Sequence, residues 1–150
     1  MDMDLIGTND TNGKEMMADL SLPGDVYTNP LSYIRTVRKG LPGSVLKQAI
    51  QALSADRDVF VRLLETDSGN LHRFYKRKAL SRAQSEEVLD TVKLYVEAGK
   101  VFGDREVGHE WLHTEIAALS GSRPVDLLDT FAGRELVRQV LRKISYGEFS

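Results

Sequence analysis

The sequence predicts an all-α protein. Three observations carry that prediction. Apolar residues recur at three- and four-residue spacing from Leu31 onward, helix-capping residue types stand before these runs, and no stretch alternates like a half-buried strand. With 150 residues, 41% of them hydrophobic, the chain can bury one packed core or two small helical units sharing one.

The elements follow in order. Residues 1–28 are rich in Asp, Asn, Thr, Gly and Met, with Tyr27 as their one aromatic residue and no sustained periodicity. Such a stretch buries too little apolar surface to offset its ordering entropy, so a disordered acidic tail is expected there. Pro42, Gly43 and Ser44 then open a helix whose inner face is Leu46, Ala49, Ile50 and Leu53. Phe60, Leu63 and Leu64 mark the next helix, with Ser54 or Asp56 as its N-cap. Ser81 and Gln84 have capping-box spacing ahead of a long helix carrying Val88, Leu89, Val92, Tyr95 and Val96. Asp104 suits the N-cap of a short helix bearing Trp111 and Leu112, and Pro124 suits the first turn of an element at 125–128. Asp129 or Thr130 caps the last helix, which is striped by Val137, Val140, Leu141 and Ile144 and closed by Gly147.

Charge is unevenly spread. Before Leu31 stand six acidic residues against Lys14 alone, a net of −5, which leaves +3 on the rest of a chain whose total is −2. An acidic tail on a mildly basic body suits a protein that touches DNA, and many that do not. The absence of cysteine excludes disulfides and thiolate metal sites and fits a reducing compartment. No apolar run reaches the length of a signal-peptide core or a membrane span, so a cytoplasmic protein without membrane contact is expected.

The densest basic segment lies between Leu71 and Arg82, with five cationic residues (Arg73, Lys76, Arg77, Lys78, Arg82) and no acidic one. The surrounding pattern reads as helix-turn-helix. A first helix spans 56–64, a turn 65–67, and Ser68 caps a second helix running to about Arg77. Basic side chains there would neutralise phosphates, while polar groups at the helix front would reach base edges. The candidate DNA contacts are Ser68, Asn70, His72, Arg73, Tyr75, Lys76, Arg77 and Lys78, with Leu71 and Phe74 turned to the core.

His109-Glu110-Trp111-Leu112-His113 spells the H-E-x-x-H pattern, in which two histidines on one helix face bind zinc and the glutamate activates water. Several features weigh against a zinc peptidase. The helix is short and interrupted in composition by Gly108, the remaining histidine, His72, belongs to the basic segment, and no strand exists to align a substrate. The expectation is therefore no metal ligand and no cofactor, with Trp111 and Leu112 serving packing. No cysteine nucleophile, phosphate-cradling glycine loop or serine elbow is present, so no catalytic residue is assigned.

The C-terminal forty residues carry the most specific pattern. Trp111 and Leu112 are followed by Arg123-Pro124, Leu127-Leu128-Asp129-Thr130, Gly133, the Val137–Ile144 stripe and finally Tyr146-Gly147. In order and spacing these resemble the C-terminal domain of the Xre/MbcA/ParS-like antitoxins, closely over 102–150 and more loosely over 43–101. The resemblance implies a type II toxin–antitoxin system. An Xre-like helix-turn-helix domain at 29–101 would precede a small helical toxin-binding domain at 102–150. The partner would be a RES-domain toxin that depletes NAD⁺, neutralised by direct binding, while a homodimer of the antitoxin represses its own operon at operator DNA. Where the family's first helix and turn usually carry Ala-x-x-x-Gly, this chain has Phe60 or Val61 and Glu65.

On that reading the last helix presents a basic outer face (Arg134, Arg138, Arg142, Lys143) and projects a tail of Tyr146, Gly147, Glu148, Phe149 and Ser150. Two aromatics and a terminal carboxylate would suit a pocket that recognises a phosphate-bearing dinucleotide. The alternative is a plain helix-turn-helix regulator whose C-terminal domain only dimerises. A neighbouring RES-domain reading frame separates the two.

Overall fold

The computed structural model describes residues 20–147, and every regular element among them is helical. The chain divides into two compact units, with the boundary in the described residues between Val92 and Lys93.

The N-terminal unit begins earlier than the sequence predicts. Residues 20–28, assigned to the disordered tail, are strapped down: Leu20 and Val26 are buried, and the Tyr27 hydroxyl donates to the Leu89 carbonyl at 2.6 Å. The Ser21 N–H donates to Gln48 Oε1 at 2.7 Å. Two buried aliphatic side chains and an anchored phenol are local anchors that a compositional average over the tail does not register. Residues 1–19, the rest of that tail, lie outside the described residues.

Helix α1, Pro30–Lys39, starts where Asn29 accepts hydrogen bonds from the Leu31 and Ser32 N–H groups and Pro30 presets the first turn. It ends at Gly40, whose left-handed φ of 88° stops the helix. Helix α2, Gly43–Ala52, buries Val45, Leu46, Ala49 and Ile50 and packs on the short helix His72–Tyr75. A 3₁₀ turn at Ser54–Asp56 leads into α3, Arg57–Leu63. Asp56 occupies the N-cap as predicted, yet its side chain makes no capping bond. After the four-residue α4, His72–Tyr75, comes α5, Arg82–Phe102, whose front is a complete capping box. The Gln84 N–H donates to Ser81 Oγ at 3.0 Å, and the Ser81 N–H donates to Gln84 Oε1 at 3.1 Å.

The C-terminal unit takes α5 from Lys93 and adds α6, Arg105–Leu112, two 3₁₀ turns at Ala117–Leu119 and Pro124–Leu127, and α7, Phe131–Ser145. Asp104 caps α6 by accepting from the Glu106 and Val107 N–H groups. Gly108 does not interrupt that helix. A Cβ at this position would lie 2.8 Å from the backbone of Ala98 and Gly99, so the missing side chain is what lets α6 lie directly on α5. Both 3₁₀ turns pack against α7, and the second also meets α6. Thr130, one of two predicted caps, accepts the Gly133 N–H at 2.9 Å. Val137, Val140 and Leu141 are buried as the stripe requires, stabilising the unit by about 5–9 kcal/mol in total, and Ile144 is half-buried. No helix among the described residues is long and apolar enough to cross a membrane.

Candidate functional site

Two candidate surfaces stand out, one in each unit. In the N-terminal unit the basic segment is held by backbone hydrogen bonds. The Gly43 N–H donates to the Arg77 carbonyl at 2.9 Å and the Leu80 N–H donates to the Leu41 carbonyl at 2.7 Å. Gly43 has no Cβ because one would collide with the carbonyls of Phe74 and Tyr75. The Leu41 N–H in turn donates to the fully buried Ser85 hydroxyl at 2.8 Å.

The turn after α3 is a Schellman motif: the Thr66 N–H reaches the Val61 carbonyl and the Glu65 N–H the Arg62 carbonyl. Glu65 therefore sits at φ 52°, the left-handed conformation that glycine adopts without cost. This is the position where the Ala-x-x-x-Gly pattern of the resembled family places its glycine.

The second helix is shorter than predicted. Residues 68–71 are turns rather than α-helix; the N-cap is Leu71, not Ser68, and carries no side-chain capping bond, while Asp67 Oδ1 accepts the N–H of the turn residue Asn70 at 2.8 Å. A hydrogen bond from the Asn70 side chain, reinforced by the Asn70 backbone N–H, holds the Asp67 carboxyl below its ordinary pKa. Three-residue hydrogen bonds (Arg73 N–H to Asn70, Phe74 N–H to Leu71) satisfy the backbone until α4 forms.

Of the eight predicted DNA contacts, His72, Arg73, Lys76, Arg77 and Lys78 are exposed on this segment. The other three are engaged within the chain. Arg57 donates to the Ser68 carbonyl at 3.1 Å, to the Ser68 hydroxyl at 3.5 Å and to the Tyr75 hydroxyl at 3.2 Å, and Asn70 Nδ2 donates to Asp67 at 2.8 Å. Arg77 also lies over the Phe74 ring, 4.2 Å from its centroid, and its guanidinium reaches Gln84. Leu71 and Phe74 are buried, as expected. Sequence reasoning missed Arg57, which pins both ends of the segment; no local pattern marks an arginine that acts eleven and eighteen residues away.

In the C-terminal unit the expected basic outer face of the last helix is corrected. Arg134 and Arg138 are buried, at 2% and 7% exposure. Arg134 donates to the Leu128 carbonyl at 2.9 Å, and Arg138 pairs with Glu97 at 2.8 Å and Glu135 at 3.3 Å. Both lie beside the apolar stripe on the wheel, so their stems enter the core while their heads tie α7 to the 3₁₀ turn and to α5. The outer face instead carries Leu136, Gln139, Lys143 and Tyr146 at three- and four-residue spacing, with Phe131 and Arg142 beside them. Phe131, Leu136 and Tyr146 are 65%, 49% and 76% exposed. Gln139, Arg142, Lys143 and Tyr146 line a shallow depression of 280 Å³. Gly147 closes the helix at φ 71°, and Glu148, Phe149 and Ser150 lie outside the described residues. Phe131 and Leu136 were missed as surface residues, although their position off the Val137–Ile144 stripe is visible on a helical wheel.

A family model for the Antitoxin Xre/MbcA/ParS C-terminal toxin-binding domain matches residues 97–147, the stretch from the Glu97 partner of Arg138 to the end of the described chain. A curated relative, the "Prs ADP-ribosylating antitoxin" of Sphingobium sp. (strain YBL2), is 32% identical over 132 residues, covering 81% of this chain and 83% of its own. The chain belongs to the Xre/MbcA/ParS antitoxin family. Arg134, Arg138, the exposed α7 face and the H-E-x-x-H stretch therefore all lie within the antitoxin's toxin-binding domain.

In that domain His109 and His113 stand side by side, their ring centroids 4.7 Å apart, with Tyr95 stacked on His109 at 6.2 Å. Trp111 is half-buried against Phe102, Leu112 is fully buried and Glu110 is exposed.

Proposed function

We propose that this antitoxin neutralises an NAD⁺-consuming RES-domain toxin by direct binding and represses its own operon as a DNA-bound homodimer in the cytoplasm. The observation that carries the first half is the match of the toxin-binding family model to residues 97–147, whose α7 leaves an apolar and cationic face uncovered. The Sphingobium relative, whose name joins an antitoxin to ADP-ribosylation, supports the same reading, because ADP-ribosyl transfer consumes NAD⁺. The antitoxin acts by binding, not by catalysis. Its docking surface is the outer face of α7 (Phe131, Leu136, Gln139, Arg142, Lys143, Tyr146), continued by the tail from Gly147 through Glu148 and Phe149 to Ser150. Arg134 and Arg138 contribute by holding α7 in place.

The second half rests on the exposed, acid-free cluster of His72, Arg73, Lys76, Arg77 and Lys78, braced by Arg57 and Gly43 behind a glycine-type turn at Glu65. Cations carried on a backbone held this way can engage phosphates without ordering the main chain first. Two copies related by a two-fold axis would read a palindromic operator.

Co-expression with an adjacent RES-domain reading frame tests the reading. A stable complex on co-purification, together with rescued growth, supports it. A chain that shifts operator DNA but neither binds nor protects against that toxin would be a regulator whose C-terminal domain only dimerises.

A further inference from the structure

The H-E-x-x-H stretch has no strand among the described residues to align a peptide substrate, and metal binding alone needs less. We propose that His109 and His113 form a two-imidazole chelate for a divalent late transition-metal ion, Cu²⁺, Ni²⁺ or Zn²⁺, at the C-terminal end of α6.

The four-residue spacing places both side chains on one helix face. The rings are 4.7 Å apart and tilted by 41°, and one nitrogen of each lies within 4.8 Å of the other. An ion held at about 2.0–2.1 Å from each nitrogen needs them roughly 3 Å apart, which small rotations of the two rings supply. Backbone and packing fix where the rings start. His109 lies inside α6 and stacks on Tyr95 with 27° between the planes, while His113 is the C-cap residue, its N–H donating to the Glu110 carbonyl at 3.0 Å. Both are half-buried, so the pair is partly shielded from water yet reachable by an ion. Two neutral imidazoles favour the later first-row metals over Mg²⁺ or Ca²⁺, which prefer oxygen ligands.

An ion bound here ties the last turn of α6 to its cap inside the toxin-binding domain. It stabilises that turn; no bond of a substrate is cleaved by it.

The test uses the full chain stripped with EDTA and titrated calorimetrically with Zn²⁺, Ni²⁺ and Cu²⁺ in turn, beside His109→Gln, His113→Gln and, as an unrelated histidine, His72→Gln. We expect one equivalent of at least Cu²⁺ and Ni²⁺ to bind, roughly tenfold or greater weakening in either α6 variant, and no change in His72→Gln. A rise in melting temperature with metal should disappear in the same two variants. Binding unaffected by either α6 substitution, or no binding at high micromolar metal, overturns the proposal. Electron paramagnetic resonance of the Cu²⁺-loaded native chain needs no variant. Two equatorial nitrogens support the chelate, and one or none refutes it.

Discussion

Glu65 occupies the left-handed conformation at the end of α3, so replacing it by glycine should stabilise the antitoxin. An L-residue in this region carries a cost of about 1–2 kcal/mol from the clash of its Cβ with the following carbonyl. Glycine relieves that cost but gives back about 0.5–1 kcal/mol through the greater freedom of the unfolded chain. The net gain for Glu65→Gly is therefore about 0.5–1 kcal/mol, a rise of about 2–5 °C in melting temperature for a domain of this size. The Schellman hydrogen bonds of Glu65 and Thr66 involve only backbone atoms, so they survive the substitution. Two controls separate conformation from charge. Glu65→Gln keeps the Cβ and removes the carboxylate, and Glu65→Ala keeps the Cβ alone; neither should reproduce the gain. Urea unfolding followed by circular dichroism reads all three. If Glu65→Gly is neutral or destabilising, or if Glu65→Gln matches it, backbone strain is not what distinguishes this position.

The remaining predictions follow from burial and charge. Arg134→Ala should destabilise by about 3–5 kcal/mol, combining the lost packing of its buried stem with a charge-assisted bond to the Leu128 carbonyl, whereas exposed Arg142→Ala should stay within about 0.5 kcal/mol; urea unfolding of both variants checks the contrast. Replacing Arg73, Lys76 and Lys78 together by Ala should weaken operator binding and lower its salt dependence by about three phosphate contacts, measured by gel shift at several salt concentrations. Because the Asp67 carboxyl titrates lower in the folded than in the unfolded chain, its contribution is present above the ordinary carboxylate pKa and is lost as pH falls through the lowered value. Asp67→Asn should abolish that acid-side change, read from the Asn70 amide by NMR.

The sequence made local signals legible and long-range partners illegible. The capping box at Ser81 and Gln84, the caps at Asp104 and Thr130 and the closing Gly147 were readable because each is a contact between residues two or three apart. Asn29 before Pro30 was an equally local signal for α1 that went unused. The strap at 20–28 was misread because composition averages over a segment, while two side chains, Leu20 and Val26, hold it. The second helix of the predicted helix-turn-helix came out short: residues 68–71 form turns closed by three-residue hydrogen bonds, and the helix starts only at His72, without a side-chain cap. Arg134 and Arg138 were placed outside because charge suggests solvent; burial of an arginine becomes visible only with its acceptor, here the Leu128 carbonyl and Glu97. Gly108 looked like a helix breaker until the backbone of Ala98 and Gly99 appeared beneath it.

The proposed toxin contact rests on the outer face of α7. Leu136→Asp combined with Tyr146→Asp places two carboxylates on exposed positions that the fold does not use, and titration calorimetry against the purified partner toxin measures what they do. A toxin seated on this face predicts a variant with native circular dichroism and unchanged operator binding that has lost about 100-fold or more in toxin affinity. Wild-type affinity in that folded variant would contradict it, and would place the toxin-binding surface elsewhere on the domain.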